Sequence, residues 1–490
     1  MSNRAGGLLV CGTASNAGKT TLVAGLCRAL ARRGVGVAPF KAQNMSLNSG
    51  VTPDGHEIAR AQLLQAEAAG TVPHGSMNPI LIKPGSDRRS HLIVNGLPAG
   101  DLDARSYLQQ RRQLLDVVVA AYEDLASRSD VIIAEGAGSP AEMNLREHDI
   151  VNLGFAHAVD LPVILVADID RGGAFASLIG TLACLDDADR ARIRGFVINR
   201  FRGDPHVLAP GLDELTRRTG LPVYGVLPYD PALQLDAEDS LSTNWAPTPA
   251  PPLGPDILRI TVIRFPRASN LTDFEPLAAE PGVVLTFADV PQQILDADLV
   301  VLPGTRSTVD DLNWLRTTGF PEPLRERADQ RLPILGICGG YQMLGEHISD
   351  DVESRAGTVE ALGILPVTTR FTPAKTVRCV SARLPDGTQV TGYQLHHGHV
   401  TRHGGAELLP GEGCRHANTY GTTWHGLLDS DAYRRALLTK VAAAADRIFT
   451  TSDLRWHDER HQRLDRLGDL IERHVDPGLL AQFASRQPTT

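Results

Sequence analysis

The sequence predicts an α/β protein with two doubly wound, mostly parallel sheets, on three observations. Apolar runs of strand length alternate with helical patterns along most of the 490 residues. Several of these runs are continuous, as in Pro162-Val-Ile-Leu-Val-Ala167, the pattern of a strand buried on both faces of a parallel sheet. Two of them lead into glycine-bearing loops that carry reactive side chains, Gly12–Thr20 and Gly336–Gly345. Connections of this kind place ligand-binding groups at the carboxyl ends of the strands.

The first loop organises the N-terminal half. Leu8-Leu-Val10 reads as a strand, Gly12-Thr-Ala-Ser-Asn-Ala-Gly-Lys-Thr20 as a loop, and Thr21–Ala31 as a helix with an apolar stripe. Strand, glycine loop and helix form the context of a phosphate-binding loop. Backbone N–H groups across Gly12, Asn16 and Gly18 would cradle phosphate oxygens, Lys19 would hold the β- and γ-phosphates, and the Thr20 hydroxyl would sit on Mg²⁺. The usual pattern has four residues between the glycines; here there are five, with Thr13 in the usual first-glycine position. The expected ligand is ATP.

Val35–Phe40 reads as the second strand and ends at Lys41, where a cation can meet the ligand or simply face water. Residues 55–69 carry a helical pattern. Two extended pieces, 79–83 and 91–95, flank a polar turn, and a long helix is expected over 104–128. Asp130-Val-Ile-Ile-Ala134 is a strand ending in Glu135-Gly-Ala-Gly-Ser139. Glu135 is either a helix-capping acid or an oxygen ligand for Mg²⁺, and its place at the ligand-side rim favours the metal. The strand 162–167 brings a second acid, Asp168, to the same rim, and 194–199 and 222–227 complete the alternation.

Lys41-Ala-Gln-Asn-Met45, Met77-Asn-Pro-Ile-Leu-Ile-Lys-Pro84, Glu135-Gly-Ala-Gly-Ser-Pro140, Ala167-Asp-Ile-Asp-Arg-Gly-Gly173 and Gly195-Phe-Val-Ile-Asn199 resemble the cobyric acid synthase family. The N-terminal domain of that family is similar to dethiobiotin synthetase, in which ATP activates a substrate carboxylate. The resemblance implies that Lys19, Thr20 and Lys41 handle phosphates and that Glu135 ligates Mg²⁺, with Asn44 and Asp168 as further carry-overs.

Five prolines between 247 and 255 mark residues 240–256 as an extended linker. Strand patterns resume at 257–263, 283–287 and 298–302, the last running into Pro303-Gly-Thr305. Leu332-Pro-Ile-Leu-Gly-Ile337 then meets Cys338-Gly-Gly-Tyr-Gln-Met-Leu-Gly345. A cysteine at a strand-to-helix junction among glycines is the sulfur version of a nucleophile elbow. The Gly339 N–H would face a developing oxyanion, with a second donor from Gly304 or Thr305. A cysteine nucleophile needs a base, and His425, at a strand-to-loop boundary, is preferred over His396. The cluster His396, His397, His399 and His403 lacks the cysteine or acid partners of a zinc site and reads as ordinary polar positions, with His396 facing the cleft.

Gly336-Ile-Cys-Gly-Gly-Tyr-Gln-Met-Leu-Gly345, Thr423-Trp-His-Gly-Leu427 and the stretch 302–315 resemble the flavodoxin-like glutamine amidotransferase domain fused to cobyric acid synthases. Related glutaminases carry His-x-Glu, the acid orienting the base. Here Gly426 and Leu427 follow His425, so the sequence names no third group. The resemblance implies that glutamine supplies ammonia and that ATP activates peripheral carboxylates of a corrinoid, adenosylcobyrinic acid a,c-diamide, for conversion to cobyric acid.

The expected division is 1–239 for an ATP-dependent amidoligase domain, 240–256 for the linker, 257–445 for the amidotransferase domain, and 446–490 for a helical tail that packs on the chain or on a second copy. A formal net charge of −9 argues against a nucleic-acid partner. No apolar run has the length of a membrane span or the form of a signal peptide. Six scattered cysteines without a C-x-x-C pair read as reduced thiols of a cytoplasmic protein.

Overall fold

The computed structural model describes residues 5–86, 89–102, 104–233 and 249–483. It divides into two compact units, one of residues 1–45, 56–236 and 460–490, the other of 46–55 and 237–459. Both the short excursion 46–55 and the return of the last residues to the first unit differ from a simple succession of domains. Residues 240–248 of the expected linker lie outside the described residues.

The first unit is built on six parallel strands in the order Val223–Pro228, Ile193–Phe201, Val163–Asp168, Gly6–Gly12, Val131–Glu135, Val37–Phe40. The chain starts at the inner strand Gly6–Gly12 and winds to either side of it. The carboxyl ends of Gly6–Gly12 and its two neighbours therefore share the switch point where such sheets bind ligands. Every residue of Gly6–Gly12, Val131–Glu135 and Val163–Asp168 is buried, which accounts for their unbroken apolar patterns.

The helix expected over 55–69 is shorter, Arg60–Ala68, and Glu57–Ala59 is extended. Tertiary partners explain the change. Glu57 N–H donates to the Gly96 carbonyl (3.0 Å) and Ala59 N–H to Asn78 Oδ1 (3.1 Å), so this backbone is satisfied without a helix. The two extended pieces form a hairpin, Ile80–Ser86 with Arg89–Val94, and a third strand, Leu97–Leu102, joins them. The helix Ala104–Arg128 lies as expected.

The tail forms helices Trp456–His474 and Pro477–Phe483. Leu464, Leu467, Ile471 and Val475 join the core made by Leu22, Leu26 and Leu30 of the helix Lys19–Arg32. A Cβ at Gly25 would lie 2.5 Å from Ile471, so only glycine permits this approach. Arg28 and Arg32 pair with Asp465 at 2.8 Å.

The second unit contains a six-stranded sheet in the order Val283–Ala288, Leu258–Ile263, Leu299–Leu302, Ile334–Ile337, Thr419–Thr422, Cys414–His416, parallel except for the last strand. A five-stranded sheet adds the long hairpin Val367–Arg383 and Gln389–Arg402, with the two-residue strand Trp424–His425 on its edge. Three adjacent parallel strands thus end side by side, and their exits carry Gly304, Cys338 and the approach to His425.

Candidate active sites

In the first unit, Gly12 ends its strand and Gly18 begins the helix at φ 98°, where an added Cβ would lie 1.8 Å from Asn199 Nδ2. Asn199 Nδ2 also donates to the Ala17 carbonyl (3.0 Å), and Asn16 takes a positive φ of 60°. The loop is thereby held in a turning backbone whose amides are gathered at a helix start. Lys19 Nζ bonds the Ala14 and Gly138 carbonyls (3.1 and 3.3 Å), folding back over the loop.

Thr20, Lys41 and Glu135 come together. Glu135 Oε1 accepts from Thr20 Oγ1 (3.0 Å) and from Lys41 Nζ (2.7 Å), and Lys41 and Glu135 are both buried. Glu135 is therefore not a helix-capping acid; its carboxylate points into the rim and faces a cation. Sequence reasoning missed Gln65, whose Nε2 donates to Glu135 Oε2 (2.6 Å). Gln65 is the end of a buried amide chain: Asn44 Nδ2 donates to Gln62 Oε1 (3.0 Å), and Gln62 Nε2 to Gln65 Oε1 (3.2 Å). Glutamines at 62 and 65 lie one helical turn apart, a spacing that could have marked a shared face. The Asp168 carboxylate is held by Arg200 (2.8 Å) and Arg171 (3.4 Å).

In the second unit, Cys338 has φ 50° and ψ −110°, a backbone that costs free energy for any residue with a Cβ. The surroundings hold it there. Cys338 N–H donates to the Thr422 carbonyl (2.8 Å) and Gly340 N–H to the Pro303 carbonyl (3.1 Å). A Cβ at Gly340 would meet the Leu302 carbonyl oxygen at 2.1 Å, so only glycine lets the elbow close on the neighbouring strand. A Cβ on Gly339 would sit 3.3 Å from Thr305 N, so these two stretches of backbone line one small space. Thr305 is fixed through its hydroxyl, which has the Asp311 carboxylate and the Arg267 carbonyl (3.1 Å) as acceptors for its one proton. Burial pushes the Asp311 carboxyl up to about 6.

His425 is buried beside Cys338. Its Nδ1 lies 2.7 Å from Asp273 Oδ2, and Cys338 acts on it electrostatically. An ionised carboxylate only accepts, so Nδ1 carries a proton, which leaves Nε2 for exchange with a reacting group. Burial alone would pull the imidazole down, but Asp273 and Cys338 outweigh it and push His425 up to about 10. Asp273 Oδ1 accepts from Gly426 N–H (2.8 Å), and the Tyr393 ring stacks on His425 with centroids 5.3 Å apart. Gly304 passes against the imidazole: a Cβ there would lie 2.7 Å from Cε1.

Asp273 is the orienting group that the sequence did not reveal. It lies 152 residues before His425, in the 3₁₀ turn Leu271–Phe274. The available signal was positional: an acid shortly after the first strand of a parallel sheet reaches the same rim as the elbow. Among the described residues, His396, His397, His399 and His403 do not form a metal cluster. His397 Nδ1 meets the Thr372 carbonyl (3.0 Å) and His403 pairs with Glu346 (3.0 Å). His396 lines a polar cavity of about 690 Å³ with Gln394, Thr423 and Arg378. Both of its ring nitrogens are buried without a hydrogen bond, and burial pushes it down to about 4.

Comparison with known proteins places this geometry. Residues 8–242 match the CobQ/CobB/MinD/ParA nucleotide binding domain, and residues 259–433 the CobB/CobQ-like glutamine amidotransferase domain. These two matches define a chain that joins a nucleotide-binding domain to a glutamine amidotransferase domain. Cobyric acid synthase of Frankia casuarinae is 51% identical, covering 98% of this chain and 96% of the relative. That of Streptomyces coelicolor is 53% identical, covering 97% and 95%. The chain belongs to the cobyric acid synthase family. A solved glutamine amidotransferase aligns with 38% of this chain and 98% of its own at 16% identity, with a TM-score of 0.31. Among the described residues, no helix is long and apolar enough to cross a membrane.

Proposed function

We propose that the chain hydrolyses glutamine at Cys338 and uses the ammonia to amidate carboxylates that ATP has activated in the first unit. The reading rests above all on the strained elbow at Cys338, with the buried His425 beside it held by Asp273. Backbone strain of this kind persists where function holds it.

His425 Nε2 takes the thiol proton as Cys338 sulfur attacks the side-chain amide carbon of glutamine. It then gives that proton to the departing ammonia, and Asp273 keeps the ring in the tautomer that allows it. The oxyanion forms in the space between the Gly339 N–H and the Gly304–Thr305 backbone. Water then attacks the γ-glutamyl thioester, with His425 as base, releasing glutamate and the thiol.

In the first unit, the loop Gly12–Thr20 holds the phosphates of ATP, and Lys19 and Lys41 stabilise the charge that moves with the γ-phosphoryl group. Thr20 and Glu135 fit Mg²⁺: both offer oxygen donors, and the carboxylate already faces a cation, the Lys41 ammonium. Bound there, Mg²⁺ would neutralise charge on the phosphates. A substrate carboxylate takes the γ-phosphoryl group, ammonia displaces phosphate from the acyl phosphate, and an amide remains. Family membership supports the acceptor, adenosylcobyrinic acid a,c-diamide, amidated at b, d, e and g to adenosylcobyric acid in cobalamin biosynthesis. Compartment and assembly follow the same reading: a cytoplasmic enzyme, as monomer or homo-oligomer, without nucleic acid or membrane partners.

The test is ADP release in the presence of Mg²⁺ and each corrinoid acid in turn, with glutamine or ammonia as nitrogen source. The reading requires release that depends on the diamide and on either nitrogen source. Release driven by cobyrinic acid instead would move the acceptor to the a and c carboxylates, and corrinoid-independent release would overturn the ligase reading.

A further inference from the structure

The second unit contains ten residues, 46–55, that the chain supplies from within the nucleotide-binding half. Ser46, Asn48, Ser49 and Thr52 are all buried there, although each is polar. Buried polar side chains persist where their hydrogen bonds are made: Ser46 Oγ donates to the Asn48 carbonyl (3.2 Å) and Thr52 Oγ1 to Asp54, while Asn48 reaches the turn that carries Asp273.

Asn48 and Ser49 hold Asn270 by two bonds. Asn270 N–H donates to Asn48 Oδ1 (2.8 Å), and Ser49 N–H donates to Asn270 Oδ1 (3.0 Å). Asn270 sits at φ 55°, ψ 41° and starts the turn that carries Asp273; its carbonyl accepts the Asp273 N–H (3.0 Å). Tyr393, whose ring stacks on His425, donates its hydroxyl to the Ser49 carbonyl (3.3 Å). Val51 packs with Tyr393 and Leu395, and the Leu395 carbonyl accepts from Cys338 Sγ (3.9 Å). The segment thus touches the supports of the base from two sides and the support of the sulfur from a third.

Building on the glutaminase reading above, we infer that segment 46–55 completes the glutaminase site and that Asn48 is a positioning residue for His425, acting through Asn270 and Asp273. The amidotransferase stretch is then not self-sufficient: its base is set by residues encoded some two hundred positions upstream. Asn48 needs an oxygen acceptor at Oδ1, which aspartate retains and alanine removes.

The test uses the full chain with Asn48→Ala and Asn48→Asp, each checked for an unchanged melting temperature. Glutaminase kcat and KM are measured across pH, beside ADP release with ammonia. Loss of a positioning hydrogen bond predicts a fall of about tenfold in glutaminase kcat for Asn48→Ala. KM for glutamine and the ammonia-supported reaction should stay near wild type. The ionisable groups facing His425 are Asp273, Cys338, Tyr393 and His396. With Asp273 less firmly placed, the alkaline limb of the Asn48→Ala profile should move to lower pH, and Asn48→Asp should restore most of kcat. A normal kcat and pH profile in Asn48→Ala, an equal loss with both nitrogen sources, or no rescue by Asn48→Asp would overturn the inference. Cys338→Ala, run in parallel, separates the two readings. If it keeps glutaminase activity the glutaminase reading fails; if it is inactive while Asn48→Ala is normal, only the role of the segment fails.

Discussion

Asp273 Oδ2 stands 2.7 Å from His425 Nδ1, with both side chains almost wholly buried. This pair supplies what the sequence after His425 lacks, an acid that fixes the ring. The acid comes from the opposite end of the same unit, so the dyad exists only once the parallel sheet has formed.

Asp273→Asn keeps the shape but no longer fixes the proton on Nδ1. Glutamine-supported turnover should fall by roughly a hundredfold or more, while ammonia-supported turnover stays. Steady-state assays with the two nitrogen sources measure this directly.

The same pair makes stability depend on pH. The folded protein raises His425 from 6.5 to about 10. The folded state therefore holds a proton that the unfolded chain releases between these values. The stabilisation is fully present below pH 6.5 and is lost as pH rises toward 10. Melting temperature plotted against pH should fall more steeply across this window in wild type than in Asp273→Asn.

Glu135→Gln leaves the buried Lys41 ammonium without its carboxylate, a change that costs about 3–5 kcal/mol. It should also abolish ADP release with either nitrogen source. Gln65→Leu, which removes only the donor to Glu135 Oε2, should lower ADP release by about tenfold and leave glutaminase activity in place. Calorimetry and an ADP assay separate the two effects.

Leu467 and Ile471 in the tail are each 1% exposed and pack in the core of the first unit. Leu467→Ala or Ile471→Ala should destabilise the protein by about 2–4 kcal/mol, read as a lower denaturant midpoint. A surface oligomer helix would give almost no change.

What could be read from the sequence was what neighbours in the chain dictate. The strand, loop and helix around Lys19, and the elbow at Cys338, are written in contiguous residues, because a turn at a strand end needs its glycines in place. Glu135 and Lys41 were legible as polar groups at strand ends. Asp273, Gln65 and Asn48 were not, since each acts on a partner brought near only by sheet topology. Asn48 was the hardest, because its stretch had no pattern of its own and its partner lies 222 residues away. Helix 55–69 was misjudged at its start for the same reason: the Gly96 carbonyl and Asn78, distant in sequence, satisfy that backbone.

The most direct test of two linked sites is ADP release by wild type and Cys338→Ala with the corrinoid diamide, using glutamine and then ammonia. The account predicts that the variant loses glutamine-supported release and keeps the ammonia-supported reaction at the wild-type rate. Full glutamine-supported release by Cys338→Ala would contradict it.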